Sequence, residues 1–398
     1  MSEGAGTGDT GTGTAGTHAG DARGVDAIAR LRRSLLAGGG FAVPPLPARV
    51  VFGAGALDRL PELMDELGAR RVLVIASGGR SDIVERVGAL LGERLTGVET
   101  RVAMHVPATL AAEVRADVAT ADADLLLAIG GGSPIGMAKA VALAGGPPIV
   151  AIPTTYAGSE MTPVWGLTRE GAKETGRDER VRPRAVLYDP TLTLGLPPLV
   201  SGPSALNAVA HAIEALYAPD ASPLVVLAAV EGLRALAASA PRVVRAPTDL
   251  EARTEALYGA WLAGMSLGAS TMGLHHKLCH VLGGSFGLPH AGTHAVVLPH
   301  AVAYNAAAAP AAMAAAWHAL GDDDVPRALH ALATDVLTVA GAPTSLRELG
   351  LHEEDIGRAA ELAAAKPYPN PRPVEAGAVR ALLERAYGGL PPLPPTGH

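Results

Sequence analysis

A run of histidines in the second half of the chain is the densest concentration of side chains able to do chemistry. Six of the 13 histidines lie between His275 and His300. His276 and His280 are four residues apart, so on a helix they share one face. Clustered imidazoles of this kind are typical of metal sites and of sites that transfer protons near neutral pH.

The glycine pair Gly283-Gly284 predicts a break in that helix, which lets the chain turn and return His290 to the cluster. The other histidines of the run are more typical of core residues that bond to backbone carbonyls: His275, His294 and His300. We therefore assign function to His276, His280 and His290, together with His211 from an upstream helix.

That upstream helix carries polar side chains along one edge of an otherwise apolar surface. Asn207 and His211 are four residues apart, and Glu214 follows three residues later. Buried polar groups need partners or a polar cavity. A cleft lined by this helix and the histidine run is the simpler interpretation.

A glycine triplet follows an apolar strand in the first half of the chain. The predicted strand Asp124–Ile129 leads into Gly130, Gly131, Gly132 and Ser133, and a helix is predicted to start near Pro134. Backbone amides free of Cβ obstruction, at a helix N-terminus, are suited to a pyrophosphate. A simple tight turn is the alternative interpretation, because a glycine triplet by itself is a weak signal.

The next strand also ends in polar residues, among them Thr154, Thr155 and Ser159. Ligands of open parallel sheets bind at the carboxyl ends of the strands, so both segments point to one nucleotide. Turn chemistry would explain either threonine taken singly. No G-x-G-x-x-G motif follows a predicted strand, and no acidic residue lies beside Ser77 and Gly78 to hold a ribose hydroxyl, so the choice between NAD and NADP stays open.

Short β-rich runs alternate with helical segments as far as Pro197, which predicts βαβ units and a parallel sheet. Beyond the Pro197-Pro198 pair the spacing is helical. The predicted division is a disordered leader (1–45), an α/β nucleotide-binding domain (46–196), an all-helical substrate domain (197–390) and a tail (391–398). The predicted strands are Val50–Phe52, Arg71–Ala76, Arg101–His105, Leu125–Ile129 and Ile149–Ile152.

Composition limits the function classes. The 398 residues exceed the usual size of one core, and 48% hydrophobic with 3% aromatic residues suits helices on a parallel sheet. A net charge of −7 disfavours nucleic acid as a partner. The N-terminal residues have no apolar signal region, and no membrane span is expected. A single cysteine, Cys279, fits a reducing compartment, so the cytoplasm is expected.

The order of the motifs GGGS, PTTYAGSE, NAVAHAIEAL, GLHHKLCHVLGG and LPHAGTHAVVLPH resembles the iron-containing (group III) alcohol dehydrogenase superfamily. The resemblance implies a Rossmann-like α/β domain followed by an all-α domain, the dehydroquinate synthase-like fold, and NADH or NADPH as cofactor. It implies that Gly130 to Ser133 hold the pyrophosphate and that Thr154, Thr155 and Ser159 line the cofactor cleft. The metal-ligand positions of the superfamily fall on Asn207, His211, His276 and His290.

One departure from that pattern is decisive for the metal. The first ligand position, an aspartate in metal-dependent members, is Asn207 here, and a neutral amide leaves the charge of a hard cation uncompensated. We therefore expect that no metal is required, although His211, His276 and His290 could still bind Zn²⁺. Gly136 is a second departure, because many members carry aspartate there, and it favours a narrower branch of the superfamily.

Without a Lewis acid, a conjugated substrate is favoured over a simple aldehyde. Within the superfamily, the wording of the motifs is most similar to a branch that reduces the C=C bond of a small dianionic enone, and the resemblance implies that reaction here, with His280 as proton donor or enolate stabiliser. His211, His276 and His290 would form a cationic or donor-rich wall. Lys277 either pairs with a substrate carboxylate or is a solvated helix residue, and Cys279 is a structural thiol. The rival interpretations are a metal-dependent alcohol dehydrogenase, a related reductase of another keto or unsaturated diacid, and an inactive scaffold. A homodimer is expected.

Overall fold

The computed structural model describes residue 43 and residues 49–79, 81–103, 106–169 and 172–394. The predicted leader, apart from Val43, and the last four residues of the predicted tail lie outside the described residues. The fold described below therefore begins at residue 49.

A six-stranded parallel sheet forms the N-terminal part, with the strand order β1-β8-β5-β4-β2-β3. Its central strands are buried on both faces, as continuous Val/Leu/Ile runs predict. The strands of this sheet are β1 (Arg49–Phe52), β2 (Val72–Ala76), β3 (Leu95–Glu99), β4 (Leu125–Gly130), β5 (Ile149–Pro153) and β8 (Ala185–Tyr188). Helices α1 (Leu60–Leu67), α2 (Ser81–Leu91), α3 (Ala108–Thr120) and α4 (Gly132–Leu143) connect them.

The alternation of side chains along the strands divides the core in two. Val74, Leu127 and Ile152 lie in the core on one face, which also contains residues of α1 and α2. Ile75 and Ala128 face the opposite side and belong to a core that continues into the helical part of the chain. One face of the sheet and the helical part therefore share one apolar core.

The strand predictions fail at one place and are incomplete at others. The third strand is Leu95–Glu99, not Arg101–His105; Arg101 is half-exposed and pairs with Glu99, and residues 104 and 105 lie outside the described residues. This edge strand has a weak apolar pattern, which explains the error. The sequence prediction also omitted β8 and an antiparallel hairpin, β6 (Val164–Arg169) with β7 (Ala172–Arg177).

From Pro198 to Tyr387 the described secondary structure is helical. Pro197 caps the first of these helices and Pro198 is its first residue, a position where proline is favoured. The helices are α5 (Pro198–Leu216), α6 (Pro223–Arg245), α7 (Leu250–Gly268), α8 (Leu274–Phe286), α9 (His290–Ala306), α10 (Pro310–Leu320), α11 (Val325–Ala340), α12 (Asp355–Ala364) and α13 (Ala376–Tyr387).

The predicted fold class, an α/β nucleotide-binding part followed by a helical part, is confirmed. Helix α5 is buried from Ser201 to Leu216, so it forms the centre of the helical part. Helix α6 is long and apolar enough to cross a bilayer by length and composition, but 61% of its apolar window is buried inside the protein. It packs between α5 and α7 as a core helix.

Candidate active site

The glycine turn and the threonine loop meet at the carboxyl edge of the sheet. Strands β4 and β5 pair in register up to Gly130 and Pro153, and Thr154 N donates to Gly130 O at 3.1 Å. A Cβ on Gly131 would lie 3.0 Å from Thr155 Oγ1. The two segments assigned to the cofactor from sequence are therefore neighbours in space.

The geometry of this turn depends on glycine. Gly130 has a φ of +137°, and a Cβ there would lie 2.9 Å from Pro134 Cγ. Gly131 caps α4 without a side-chain hydrogen bond, and the space beside Gly132 is open. The first amides of α4, including that of Ser133, are therefore able to bind an anion such as a pyrophosphate.

Three buried imidazoles from different helices meet beyond this edge. Nitrogen atoms of His211 on α5, His276 on α8 and His294 on α9 lie within 4.8 Å of one another. Several atoms of this group have no hydrogen-bond partner among the described residues: Asn207 Oδ1, His211 Nδ1, His276 Nε2, and both ring nitrogens of His294. Since buried polar atoms rarely remain unpaired, this group of Asn207, His211, His276 and His294 is suited to a polar ligand. We call it the histidine pocket.

His294 differs from its prediction as a core histidine bonded to a carbonyl. Its ring centroid lies 4.9 Å from that of His276 and 4.2 Å from that of His290. The turn into α9 also differs, because Gly283 and Gly284 remain inside α8 and the chain turns at Gly287, whose φ is +73°. His294 follows His290 by one helical turn, a spacing that could have revealed it from sequence.

His275, in contrast, has the backbone partner expected of a core histidine. Its Nε2 donates to His294 O at 3.0 Å, and its side chain is fully buried. His300 is also buried, with its ring 6.3 Å from that of His330 rather than in the pocket.

Glu214 fixes the start of α8 and the orientation of His276. Its carboxylate accepts from His275 N at 3.0 Å and from His276 N at 3.2 Å, and it caps amides that the helix leaves unpaired. It also bonds to His276 Nδ1. An ionised carboxylate only accepts, so Nδ1 carries a proton, and Nε2, which has no partner among the described residues, is left for the pocket.

His280 and His290 lie at the rim of the histidine pocket. Both are half-buried, and the ring of His280 is 6.4 Å from that of His276. Lys277 is half-buried on the same helix. Cys279 is buried, with Sγ 3.6 Å from His275 Nε2, and burial raises the pKa of its thiol well above the usual value. The thiol therefore stays protonated.

Burial keeps two histidines of the pocket, His211 and His294, neutral at pH 7. It lowers the pKa of His211 and of His294 well below the usual value, and neighbouring histidines lower both further. Burial would raise the pKa of Glu214, but the charge and hydrogen bond of His276 outweigh it, so that pKa is lowered. The predicted wall is thus not cationic at His211 and His294, whose neutral rings each offer one donor and one lone pair.

The loop from Thr154 to Thr162 links the cofactor edge to the pocket. Gly158 has a φ of +76°, and a Cβ there would lie 3.1 Å from both His211 Nδ1 and the Cα of Gly264. Ser159 follows directly and is half-buried. A nucleotide on the glycine turn and a substrate in the pocket would therefore meet at this loop.

Two family models match the chain, one at each end. "Iron-containing alcohol dehydrogenase" matches residues 47–190, and "Fe-containing alcohol dehydrogenase family, C-terminal" matches residues 203–387. The chain belongs to the iron-containing alcohol dehydrogenase family. As a member, it is a nicotinamide-nucleotide-dependent oxidoreductase.

Among members of this family, the chain is similar to several maleylacetate reductases. That of Burkholderia cepacia is 54% identical over 86% of this chain and 97% of its own length. The crystal structure of maleylacetate reductase from Agrobacterium tumefaciens is 46% identical, covers 88% of this chain and 99% of its own, and superposes with a TM-score of 0.83. That from Rhizobium sp. strain MTP-10005 is 46% identical over 89% of this chain and all of its own, with a TM-score of 0.84.

The family name implies iron, and the pocket fits a divalent ion only in part. His211, His276 and His294 provide three nitrogen donors at suitable spacing, which suits Zn²⁺. No carboxylate belongs to this group, because Glu214 is bonded to α8 and His276. The chain thus has the imidazoles for a borderline ion and lacks the charged oxygen that a hard ion prefers.

Proposed function

We propose that the chain reduces the C=C bond of maleylacetate with NADH or NADPH, giving 3-oxoadipate in the degradation of aromatic compounds. The observation that carries the proposal is its identity of 54% to a maleylacetate reductase over 97% of that protein. The geometry supports it, because a nucleotide edge and a buried polar pocket meet at one loop.

The chemistry matches a pocket of neutral donors. Maleylacetate is an enone with a carboxylate at each end. NADH or NADPH held at Gly130 to Ser133 would supply a hydride to the alkene carbon remote from the ketone, and the electron pair of the C=C bond would move to give an enolate. A proton delivered to the neighbouring carbon would complete the reduction, with the oxidised nucleotide as the second product. Donors aimed at the enolate oxygen stabilise the charge that develops there.

The residues divide into three roles. His280, at the rim, is the proton donor or enolate stabiliser, since imidazole can do either near neutral pH. His211, His276, His290 and Asn207 form the wall that contacts the dianion, and His294 joins them on the strength of its unpaired nitrogens. Lys277 pairs with one carboxylate.

Turnover requires no metal on this proposal. The support is the donor set of the pocket, in which Asn207 stands where a carboxylate would balance the charge of the ion. If an ion binds, His211, His276 and His294 would hold it, and it would polarise the substrate carbonyl. Hydrogen bonds from neutral imidazoles are expected to supply enough stabilisation for a conjugated enone.

The position of isotope in the product tests the reaction class. Purified protein is incubated with maleylacetate and NADH deuterated at both C4 positions, and the product is analysed by NMR. Deuterium at the carbon remote from the ketone of 3-oxoadipate supports C=C reduction. Deuterium on a carbinol carbon, or no turnover alongside activity on another keto or unsaturated diacid, would favour the alternative, a related reductase or alcohol dehydrogenase.

Cofactor choice, assembly and location are further parts of the proposal. Ser77 Oγ lies 3.6 Å from the position of a Cβ on Gly130. The hydroxyl carries no charge, so its charge favours neither NADH nor the 2′-phosphate of NADPH. Comparison of KM for NADH and NADPH tests whether the protein uses both cofactors.

We also expect a cytoplasmic homodimer. Sedimentation analysis would check the assembly, and cell fractionation would check the location.

A further inference from the structure

A lysine is completely enclosed beneath the cofactor edge. Lys139, on α4, is 1% exposed. Its Nζ donates to three backbone carbonyls, Ser159 O at 2.7 Å, Thr162 O at 2.8 Å and Val164 O at 2.9 Å. The hydroxyl of Thr162 lies at 2.9 Å and that of Ser159 at 3.3 Å. Five oxygens of one short segment therefore surround one ammonium group.

Burying an ammonium group costs free energy of desolvation, which hydrogen bonds to buried acceptors offset. An ammonium has three N–H donors, and here each has a carbonyl of the segment Ser159–Val164. Burial lowers the pKa of Lys139 to about 7, against the attraction of the buried carboxylate of Glu160. An apolar side chain would avoid the cost of burial but would take this donor away from all three carbonyls, although Ser159 O also accepts from Thr162 N at 3.1 Å. The arrangement therefore serves to hold the backbone of this segment.

The segment begins where the two halves of the site touch. At the preceding residue, Gly158, a Cβ would lie 3.1 Å from both His211 Nδ1 and the Cα of Gly264 on α7, so the backbone passes close to both. Gly268, at the end of α7, leaves no room for a Cβ, which would lie 2.5 Å from Met161 O. The segment thus packs against the helix that leads to α8, and its position determines how closely the cofactor edge approaches the histidine pocket.

Lys139 lies on α4, the helix whose first amides, after the glycine turn Gly130–Gly132, form the proposed pyrophosphate site (the phosphate cradle). It is two turns from Gly132. Helix α4 would therefore hold the pyrophosphate at its N-terminus and, through Lys139, holds the loop two turns further along. We propose that Lys139 is a positioning residue that sets the distance between the nicotinamide and the histidine pocket. This inference rests on the proposed hydride transfer, and Lys139 itself touches neither substrate nor cofactor.

The test compares three variants with the wild type. Lys139→Met keeps the length of the side chain and removes the donors, whereas Lys139→Arg keeps charge and donors. Thr162→Val removes one oxygen of the cage and serves as a milder change if Lys139→Met folds poorly. Leu383→Ala, in the buried core of α13 and remote from the loop, provides a matched loss of stability without loss of donors.

We expect Lys139→Met to lower kcat by about 10- to 100-fold, because small misplacements of reacting groups have effects of that size. KM for NADH should change by less than about 3-fold, since the phosphate cradle is intact. The isotope effect with NADH deuterated at C4 should increase as hydride transfer becomes limiting. Lys139→Arg should recover most of kcat, Thr162→Val should fall between, and Leu383→Ala should retain the wild-type isotope effect.

Hydrogen exchange provides a readout that needs no substrate. Amides of residues 157–164 should lose protection in Lys139→Met and keep it in Leu383→Ala. Wild-type protein that fails to reduce maleylacetate would remove the proposed function while leaving this measurement decisive for Lys139. Unchanged protection in Lys139→Met, or a kcat within about 2-fold of wild type, would overturn the inference.

Discussion

Replacement of Glu214 by glutamine should weaken both stability and turnover, because one carboxylate orders α8 and His276 together. Glu214 is fully buried and accepts from two backbone amides and from His276 Nδ1. The amide keeps one acceptor oxygen and turns an NH₂ donor toward groups that also donate. Hydrogen bonds to buried charged groups contribute about 1.5–3 kcal/mol each, so losing at least one should destabilise the protein by roughly 2–4 kcal/mol.

The pH dependence of this loss follows from the lowered pKa of Glu214. A carboxyl whose pKa is lower in the folded state stabilises the protein above its unfolded pKa, and that contribution is lost as the pH falls. The difference between wild type and Glu214→Gln should therefore be largest at neutral pH and shrink as the pH falls below 4.5, the ordinary value.

Denaturant unfolding at several pH values and steady-state kinetics measure these effects. We expect kcat to fall about 10- to 100-fold, the usual size of losing a partner that orients a functional histidine. Glu231→Gln is the matched control, since Glu231 is exposed on α6 and pairs with Arg234 at 2.8 Å, an interaction of about 0–1 kcal/mol. Equal stability and equal kcat for Glu214→Gln and wild type would refute the reasoning.

Three other substitutions test the pocket. Asn207→Asp should raise the affinity for Zn²⁺ or Co²⁺ at least about 10-fold by adding a charged oxygen, as calorimetry would show; unchanged affinity would count against the charge argument. Gly158→Ala should lower kcat about 10-fold or more, because its φ is +76° and the new Cβ would lie 3.1 Å from His211; normal kinetics would contradict this contact. His294→Asn should lower kcat about 10-fold or more, whereas His300→Asn should affect mainly the melting temperature; the reverse pattern would return His294 to the core.

The parts of the fold with strong periodic signals were predictable. The buried runs of β2, β4 and β5 and the long Ala/Leu helices gave the fold class. The edge strand β3 was misplaced because its sequence, Leu95–Glu99, contains a glycine and a threonine, exposes its valine and buries a glutamate. The hairpin β6-β7 was missed since its burial is mixed and its residues alternate weakly.

The site was predictable where residues are close in sequence and not where the fold brings them together. One exception is the approach of Gly131 to Thr155. It was expected because the carboxyl ends of neighbouring parallel strands lie at one edge of the sheet. His294 was assigned to the core because a histidine with a backbone partner and one with none look alike in sequence. The role of Lys139 could not be predicted, since its five oxygen neighbours come from a loop that follows the next strand.

The central claim is that a pocket of imidazoles and an amide supports reduction of a dianionic enone by NADH or NADPH without a metal. Its most direct test is the oxidation of NADH with maleylacetate by protein stripped of metal with a chelator, with metal content measured on the same sample. The account predicts full turnover in the stripped protein and no gain when Zn²⁺, Fe²⁺ or Mg²⁺ is added. Loss of turnover on stripping, restored by one of these ions, would contradict it.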